Sequence, residues 1–271
     1  MERALAIDIG GTKLAAGLVD GDGRLGPHRR VPTPAHDGEA MFAALVELVH
    51  SIDDWEEAVV CGVGCGGPMT GQGAAVSPVN IPGWREFPLS ARLADALAAD
   101  AGLPVHVDND AKALALAEGW LGAAVGCSDY LGMVVSTGVG GGLVVDGHLL
   151  DGAEGNAGHV GHVIVEPGGR RCGCGARGCL EAEASGTAIA AITGGPPAEA
   201  VDEVRGVRAG RLVGRAVASV ANLVDLRLAV VAGSVALGYG SIFFDAAQDE
   251  LDRRARLPFS RGAVVPPRGS R

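Results

Sequence analysis

Two glycine-rich turns in this sequence carry the residue types that bind phosphate groups. The first is Asp8-Ile-Gly-Gly-Thr-Lys13 and the second is Ser136-Thr-Gly-Val-Gly-Gly-Gly142, and each joins two short apolar runs. Glycines let the backbone approach a phosphate closely, while hydroxyl, ammonium and backbone N–H groups donate hydrogen bonds to its oxygens. Asp8 could also hold Mg²⁺ through water. Either turn alone could be an ordinary hairpin, but the two together favour nucleotide binding.

A third cluster, Asp108-Asn109-Asp110, places carboxylates and an amide where a predicted strand ends and a predicted helix begins. A carboxylate in this place could take a proton from a substrate hydroxyl. The Asn109 amide both donates and accepts hydrogen bonds, as sugar recognition requires. The alternative is helix capping, because Asp and Asn are favoured N-cap residues. One of the three residues could cap the helix while another acts in catalysis.

The most specific local signal is a set of one histidine and three cysteines, His162, Cys172, Cys174 and Cys179. Three thiolates and one imidazole match the ligands of a closed tetrahedral zinc site, which would be structural and not catalytic. The alternative is a loop of reduced cysteines, although the Gly- and Arg-rich segment 167–178 has little else to order it. The other three cysteines are expected to be small core residues, Cys61, Cys65 and Cys127.

Two competing nucleotide-binding motifs are excluded by the sequence. No G-x-x-x-x-G-K-[ST] motif is present, so the chain has no P-loop. Gly62, Gly64 and Gly67 match G-x-G-x-x-G, but Pro68 and a further loop follow where a dinucleotide-binding fold begins a helix.

Composition narrows the class of protein that presents these motifs. Of 271 residues, 48% are hydrophobic and 20% are charged, so a large core can form and disorder is not expected. Aromatic residues make up only 4% and the net charge is −10, which disfavours nucleic-acid binding. Lysine occurs only twice, as Lys13 and Lys112. No signal peptide or membrane span is predicted, so a cytoplasmic protein without membrane contact is expected.

Alternating strands and helices must position these residues. Short apolar runs predict strands over 4–8, 14–19, 58–61, 105–107, 130–135, 143–145 and 228–231. Amphipathic periodicity predicts helices over 37–52, 90–101 and 208–226, and Ser90 is the expected N-cap of the second. Because the strand, glycine turn and strand of the N-terminus recur after residue 130, two α/β lobes facing a cleft are predicted.

Taken together, these motifs resemble those of the ROK family of sugar kinases and repressors. They follow the family's order over nearly the whole chain, and the box Cys172-Gly-Cys-Gly-Ala-Arg-Gly-Cys-Leu-Glu181 is highly diagnostic of it. Ser77-Pro-Val-Asn-Ile-Pro-Gly-Trp84 and Gly161-His162 also match. The resemblance implies the two-lobed, actin-like and ribonuclease-H-like ATPase fold with a central cleft. The lobes would be 1–111 and 112–271, the second with a zinc loop at about 162–181.

The resemblance also implies an activity, the phosphorylation of a hexose at its 6-hydroxyl by Mg-ATP. Asp110 would be the general base. The sugar would be bound by Gly67, Asn80, Asn109, Asp110, His162 and Glu181. The ATP phosphates would be held by Gly10, Gly11, Thr12, Lys13, Thr137 and Gly138, with Asp8 near Mg²⁺ and Gly233 near the adenosine. His162 would serve both the sugar and a structural zinc ion, and a homodimer is the family's usual assembly.

Three departures from the family pattern bear on these expectations. The family usually has Glu-x-Gly-His where this sequence has His159-Val-Gly-His162, so a titratable base replaces one acidic sugar ligand. The usual Gly-Gly-Gly adenosine turn reads Ala232-Gly-Ser234. The chain ends at Arg271, where the family normally continues into a closing helix, so a truncated tail is expected.

A glucokinase-like hexose kinase is therefore predicted, with glucose as the first candidate substrate. One alternative is a kinase of N-acetylglucosamine or N-acetylmannosamine. Another is a non-catalytic sugar-binding or regulatory member of the family. The family's transcription regulators place a helix-turn-helix before this domain, and a first phosphate turn that begins at residue 8 leaves no room for one.

Overall fold

The computed structural model describes residues 2–34, 36–195 and 203–269, and it has the predicted alternation of strands and helices. Two units result. Unit 1 comprises Met1–Ala113 together with Asp151–Ala157, and unit 2 comprises Leu114–Leu150 and Gly158–Arg271. A lobe boundary at residue 112 would put the segment 151–157 in the second lobe, whereas its contacts group it with unit 1. The segment belongs to unit 1 because its side chains bond there: Asn156 Oδ1 accepts the Met69 N–H at 2.9 Å, and Asp151 accepts the Lys112 ammonium at 2.9 Å.

Unit 1 is built on a five-stranded sheet in the order β3-β2-β1-β4-β7. Its strands are β1 (Arg3–Ile9), β2 (Lys13–Asp20), β3 (Leu25–Pro32), β4 (Val60–Cys65) and β7 (Val105–Asn109). β1, β4 and β7 run parallel to one another, and β2 and β3 add in antiparallel fashion. A separate ribbon pairs β5 (Met69–Thr70) with β6 (Ala75–Val76). The core of the unit includes strand residues such as Leu5 and residues of α1 (Gly38–His50) and α2 (Leu89–Leu97).

Three local features of unit 1 differ from the sequence prediction. β3 was not predicted, because its residues are mostly exposed, include two prolines and show no apolar alternation. β4 continues through Gly62 and Gly64, although the predicted strand ended at Cys61. Ser90 is not the N-cap of α2, which begins after Pro88; the Ser90 hydroxyl instead donates to the Val105 carbonyl at 3.4 Å.

Unit 2 is built on a four-stranded sheet in the order β10-β9-β8-β11. The strands are β8 (Tyr130–Val135), β9 (Val139–Val145), β10 (His148–Leu149) and β11 (Ala229–Ala232). The helices are α3 (Asp110–Leu121), which begins in unit 1, α4 (Leu180–Ala184), α5 (Gly186–Thr193), α6 (Glu203–Val224), α7 (Ser234–Tyr239) and α8 (Ser241–Arg254). The core joins β8 and β11 to α6 and α8. Among the residues described, no helix has the length and apolar character needed to cross a membrane.

Candidate active site and metal site

The carboxyl ends of β1, β4 and β7 bring the predicted acidic residues of unit 1 into one row. The strand register aligns Asp8 with Gly64, and Gly64 with Asp108. Because neighbouring strands lie about 4.8 Å apart, Asp8 and Asp108 are separated by about 10 Å across the sheet. Burial raises the pKa of the Cys65 thiol, and the carboxylates of Asp110 and Asp8 raise it further. Both carboxylates therefore lie near this thiol, at one edge of the sheet.

The Asp108-Asn109-Asp110 cluster combines the two roles that the sequence left open. Asn109 is buried, and its Oδ1 accepts a hydrogen bond from the Ala111 N–H at 2.9 Å. Asp110 is the first residue of α3 and is exposed, with one carboxylate oxygen 2.8 Å from the same N–H. Asn109 thus contributes to capping, and Asp110 presents a carboxylate to solvent. A contact between Asn109 and a sugar stays a prediction.

The first predicted phosphate turn, the glycine-rich turn at residues 8–13, closes the hairpin between β1 and β2. The Gly10 N–H donates to the Lys13 carbonyl at 3.0 Å, and the side chains of Thr12 and Lys13 are exposed. A methyl group at Gly11 would lie 3.0 Å from the Asn80 Cβ and 3.1 Å from the Asn80 carbonyl oxygen. Asn80, which was predicted near the sugar, therefore lies against the turn that was predicted to hold phosphates.

The segment containing Asn80 is itself fixed to the residues that follow β4. The Val79 N–H donates to the Gly67 carbonyl at 3.3 Å, and the Ser77 N–H donates to the Pro68 carbonyl at 2.9 Å. Gly67 was predicted near the sugar. Unit 1 thus groups Gly67 and Asn80 with the first phosphate turn.

The second phosphate turn and the predicted adenosine turn lie together in unit 2. The Ser136 N–H donates to the Gly138 carbonyl at 2.9 Å and closes the turn that contains Thr137. The Ser136 hydroxyl lies 2.9 Å from the hydroxyl of Ser234, the residue after Gly233. Gly233 has a φ of 102°, a conformation that favours glycine. The residues predicted to hold the nucleotide in this unit are therefore neighbours.

Glu181, a predicted sugar ligand in α4, contacts the second phosphate turn. Its Oε2 accepts a hydrogen bond from the Val139 N–H at 3.0 Å, and a methyl group at Gly138 would lie 2.8 Å from the same oxygen. The sequence carries no signal for this contact. Glu181 is the last residue of the cysteine box, so this bond joins the box to the second phosphate turn. In the same way, Asn80 lies against the first phosphate turn in unit 1.

The four predicted zinc ligands come together in unit 2. The Cys172 Sγ lies 3.6 Å from the His162 Nδ1, the Cys174 Sγ lies 3.7 Å from the Cys179 Sγ, and all four ligand atoms lie within 4.8 Å of one another. A tetrahedral zinc ion with Zn–S of about 2.3 Å and Zn–N of about 2.0 Å separates two sulfurs by about 3.8 Å and a sulfur and a nitrogen by about 3.5 Å. The donor set and its spacing therefore fit zinc.

Hydrogen bonds hold the loop that carries these ligands. The Val165 and Glu166 N–H groups donate to the Gly178 carbonyl at 2.8 and 3.2 Å. The buried Glu183 carboxylate accepts the Arg170 N–H at 2.6 Å and the Arg208 guanidinium at 2.7 Å. Glu183 thus joins the loop to α6. This role was not predicted, because it depends on an arginine in a distant helix.

The thiols of this loop differ in their environment. Burial raises the pKa of Cys172 and raises that of Cys179 to about 12. The pKa of the exposed Cys174 is lowered, first by a hydrogen bond from the Ala176 backbone. Because zinc binds thiolates, metal binding at this loop would release protons.

His159 lies immediately before the 3-10 turn Val160–His162 and is partly buried. Its ring is 6.2 Å from the ring of His162, and the two planes differ by 17°. The departure from the family pattern therefore places a second imidazole beside a candidate zinc ligand.

Lys112, beside the acidic cluster 108–110, is a residue to which no role is assigned from the sequence. It is buried in α3 and contacts Asp108, the first residue of the acidic cluster. Two signals were present in the sequence: lysine is rare in this chain, and Asp108 and Lys112 are four residues apart at a predicted helix start.

Comparison with known proteins gives consistent matches. The model of the ROK family matches residues 4–255. An N-acetylmannosamine kinase of Citrobacter koseri is 41% identical over 251 residues, which cover 87% of this chain and 84% of the relative. The structure of a ROK hexokinase from Thermus thermophilus has a TM-score of 0.82 and 35% identity, covering 98% of this chain and 92% of the other. A ROK family glucokinase from Streptomyces griseus, solved with glucose and AMPPNP, has a TM-score of 0.83 and 30% identity, covering 98% and 94%.

Proposed function

The chain belongs to the ROK family and has the predicted α/β, actin-like ATPase fold, and on that premise we propose that it transfers the terminal phosphoryl group of ATP to the 6-hydroxyl of a hexose. The observation that carries the proposal is the exposed Asp110 carboxylate at the start of α3, at the same end of the sheet as Asp8. The kinase class is supported by relatives named N-acetylmannosamine kinase and glucokinase.

Asp110 is the proposed general base. Its carboxylate accepts the proton of the 6-hydroxyl as that oxygen bonds to the γ-phosphorus and the bond from phosphorus to ADP breaks. The exposure of Asp110 supports this role, because a substrate hydroxyl must approach within about 3 Å of the base. The capping by Asn109 supports it as well, since it leaves Asp110 on a fixed helix terminus.

The two glycine turns are proposed to bind the phosphates of ATP. The first turn offers the exposed side chains of Thr12 and Lys13, and the second offers Thr137 and Gly138. Gly233 would lie at the adenosine. When bound, Mg²⁺ neutralises the charge on the transferred phosphoryl group, and Asp8 would hold it through water.

The sugar is proposed to bind at the residues that contact these turns. Asn80 lies against Gly11, and Glu181 lies against Gly138. Such contacts are expected where the acceptor hydroxyl must reach a γ-phosphate. The remaining proposed sugar-binding residues are Gly67, Asn109, His159 and His162.

Glucose is the first acceptor to consider, and an N-acetylhexosamine is a second that His159 favours. A carboxylate, usual in the family at this place, only accepts hydrogen bonds, whereas an imidazole N–H donates one. A donor at position 159 suits an acetamido carbonyl, which glucose lacks. The relative from Citrobacter koseri, named for N-acetylmannosamine, supports the same acceptor class.

Zinc is proposed to be structural, because the four candidate side chains would fill a tetrahedral coordination shell and leave no position for substrate. The homodimeric state and the cytoplasmic location are also part of the proposal and are supported by the family resemblance alone. Sedimentation of the purified protein tests the dimer, and elemental analysis should find one zinc ion per chain.

A coupled assay of ADP formation tests the proposed activity. The protein is mixed with Mg-ATP and glucose, mannose, N-acetylglucosamine or N-acetylmannosamine, and ADP formation should require one of the sugars. ADP formation that ignores the sugar would overturn the proposal. Saturable sugar binding without ADP formation would instead identify a non-catalytic sugar-binding protein.

A further inference from the structure

Lys112 is a buried cation that takes no part in the mechanism proposed above. Its side chain is 1% exposed, whereas Lys13 is exposed. Burying an ammonium group is strongly unfavourable unless acceptors surround it. The position of Lys112 must therefore be explained by its partners.

Three acceptors surround the ammonium group. Lys112 Nζ lies 2.9 Å from Asp151 Oδ1, 3.1 Å from Asp108 Oδ1 and 3.3 Å from the Gly155 carbonyl oxygen. These match the three N–H donors of an ammonium group. The group also lines a cavity of about 410 Å³ in unit 1, together with Ser90 and His106.

One acceptor connects Lys112 to the proposed catalytic residue. Asp108 Oδ1, which contacts Lys112, also accepts the Asn109 N–H at 2.7 Å. Asn109 in turn caps α3, whose first residue is Asp110. The ammonium group is thus linked to the start of the helix that carries the base.

The other acceptors lie in the segment 151–157, which we call the strap. Further hydrogen bonds hold the strap to the rest of unit 1. Asn156 Nδ2 donates to the Met69 carbonyl at 2.7 Å, and Gln72 Nε2 donates to the Gly152 carbonyl at 3.2 Å. His159, a proposed sugar-binding residue, follows the strap by two positions.

We propose that Lys112 is a positioning residue for phosphoryl transfer, which fixes the start of α3 against the strap that leads into His159. The inference rests on the proposed function. Without the ammonium group, two carboxylate oxygens that lie at most about 6 Å apart would repel each other, because no cation would lie between them. The strap would separate from α3, and the geometry of Asp110 would change.

Kinetics of Lys112→Met test the catalytic part of the inference. Because a displacement of about 1 Å can reduce a rate about 100-fold, kcat should fall about 10- to 100-fold while KM for ATP changes less than about threefold. A lysine that only stabilises the fold would lower the folded fraction and leave kcat per folded molecule unchanged. Asp151→Asn, which keeps an acceptor oxygen, should show a smaller fall in kcat, and it replaces Lys112→Met if that variant does not fold. Asp95→Ala, at an exposed site of α2, is the matched control and should keep the wild-type kcat.

Amine labelling tests whether the strap covers Lys112, and this test does not depend on enzymatic activity. Since the chain has only two lysines, mass spectrometry after reaction with acetic anhydride reports each one separately. In the wild type Lys13 should react and Lys112 should be protected. In Asp151→Ala, opening of the strap should raise the labelling rate of Lys112 at least about tenfold, and Asp95→Ala should leave it protected.

The outcomes separate this inference from the proposed function. A wild type without sugar-dependent ADP formation overturns the proposed function, and the positioning role falls with it even if Lys112 is protected as expected. An active wild type whose Lys112→Met variant keeps full kcat overturns the positioning role alone. Equal labelling of Lys112 in the wild type and Asp151→Ala also overturns it.

Discussion

Replacing Gly178 with alanine is expected to open the zinc loop, whereas the same change at Gly175 is expected to leave it closed. Both glycines have a φ in the left-handed region, 74° and 94°, and both lie between the ligands Cys174 and Cys179. Their surroundings differ. A methyl group at Gly178 would overlap the Glu166 carbonyl oxygen, but within the described part of the chain no heavy atom beyond the two adjacent residues lies within 4 Å of one at Gly175. Gly175→Ala is therefore a matched control for the backbone conformation alone.

The magnitudes follow from this difference. A left-handed conformation costs a residue with a Cβ about 1–2 kcal/mol, which is the expected destabilisation for Gly175→Ala. Gly178→Ala must also move the chain away from Glu166. That movement breaks the bonds from the Val165 and Glu166 N–H groups to the Gly178 carbonyl and from the Gly178 N–H to the Arg170 carbonyl. At about 1 kcal/mol for each bond, Gly178→Ala should cost about 3 kcal/mol more than the control.

Zinc affinity, measured by competition with a chelator, is the appropriate assay. Because zinc binding and folding of the loop share one free energy, Gly178→Ala should bind zinc about 100-fold more weakly than Gly175→Ala. Cys174→Ser, which removes a ligand, gives the reference for a broken site. Equal zinc affinities in the two alanine variants would refute the loop geometry.

Three further predictions concern catalysis, specificity and acid stability. Asp110→Asn should keep sugar binding but lower turnover about 10²–10⁴-fold, and near-normal turnover in the folded variant would exclude Asp110 as the base. His159→Glu should shift the kcat/KM ratio towards glucose over N-acetylglucosamine by at least about threefold; an unchanged ratio would exclude a specificity role. Burial raises the pKa of Glu250, but hydrogen bonds from Arg254 and Arg215 outweigh it and leave that pKa below its ordinary value. The ionised Glu250 therefore stabilises the fold above the pKa of the unfolded state, and this stabilisation is lost as pH falls through the pKa of the folded state. The difference in unfolding free energy between wild type and Glu250→Gln should shrink from pH 7 to pH 3. A constant difference would contradict this.

Much of the candidate site could be predicted because its residues have local signals. Asp8 and Asp108 directly follow apolar runs, so their position at strand ends follows from the sequence. The register that aligns both residues with Gly64 could not be predicted from the sequence, because the pairing of strands far apart in sequence depends on the packing of the whole sheet. The four candidate zinc ligands could be predicted as a set, since the spacing of cysteines carries its own chemical meaning.

The contacts that connect these local motifs could not be predicted. The strap has no apolar periodicity, and its place in unit 1 depends on single side chains such as Asn156 and Lys112. The bond from Val139 to Glu181 joins residues 42 positions apart through one backbone N–H. No pattern in either segment indicates its partner, because such bonds form only after the sheets have placed both ends.

The product formed from Mg-ATP and a hexose tests the central claim most directly. Phosphorus NMR of the reaction mixture identifies the phosphorylated atom, with 6-deoxyglucose as an acceptor analogue that lacks the reacting hydroxyl. We expect a sugar 6-phosphate and an equal amount of ADP from glucose or an N-acetylhexosamine, and neither product from 6-deoxyglucose. Intact ATP with every hexose, or equal ADP formation with 6-deoxyglucose, would contradict the assignment.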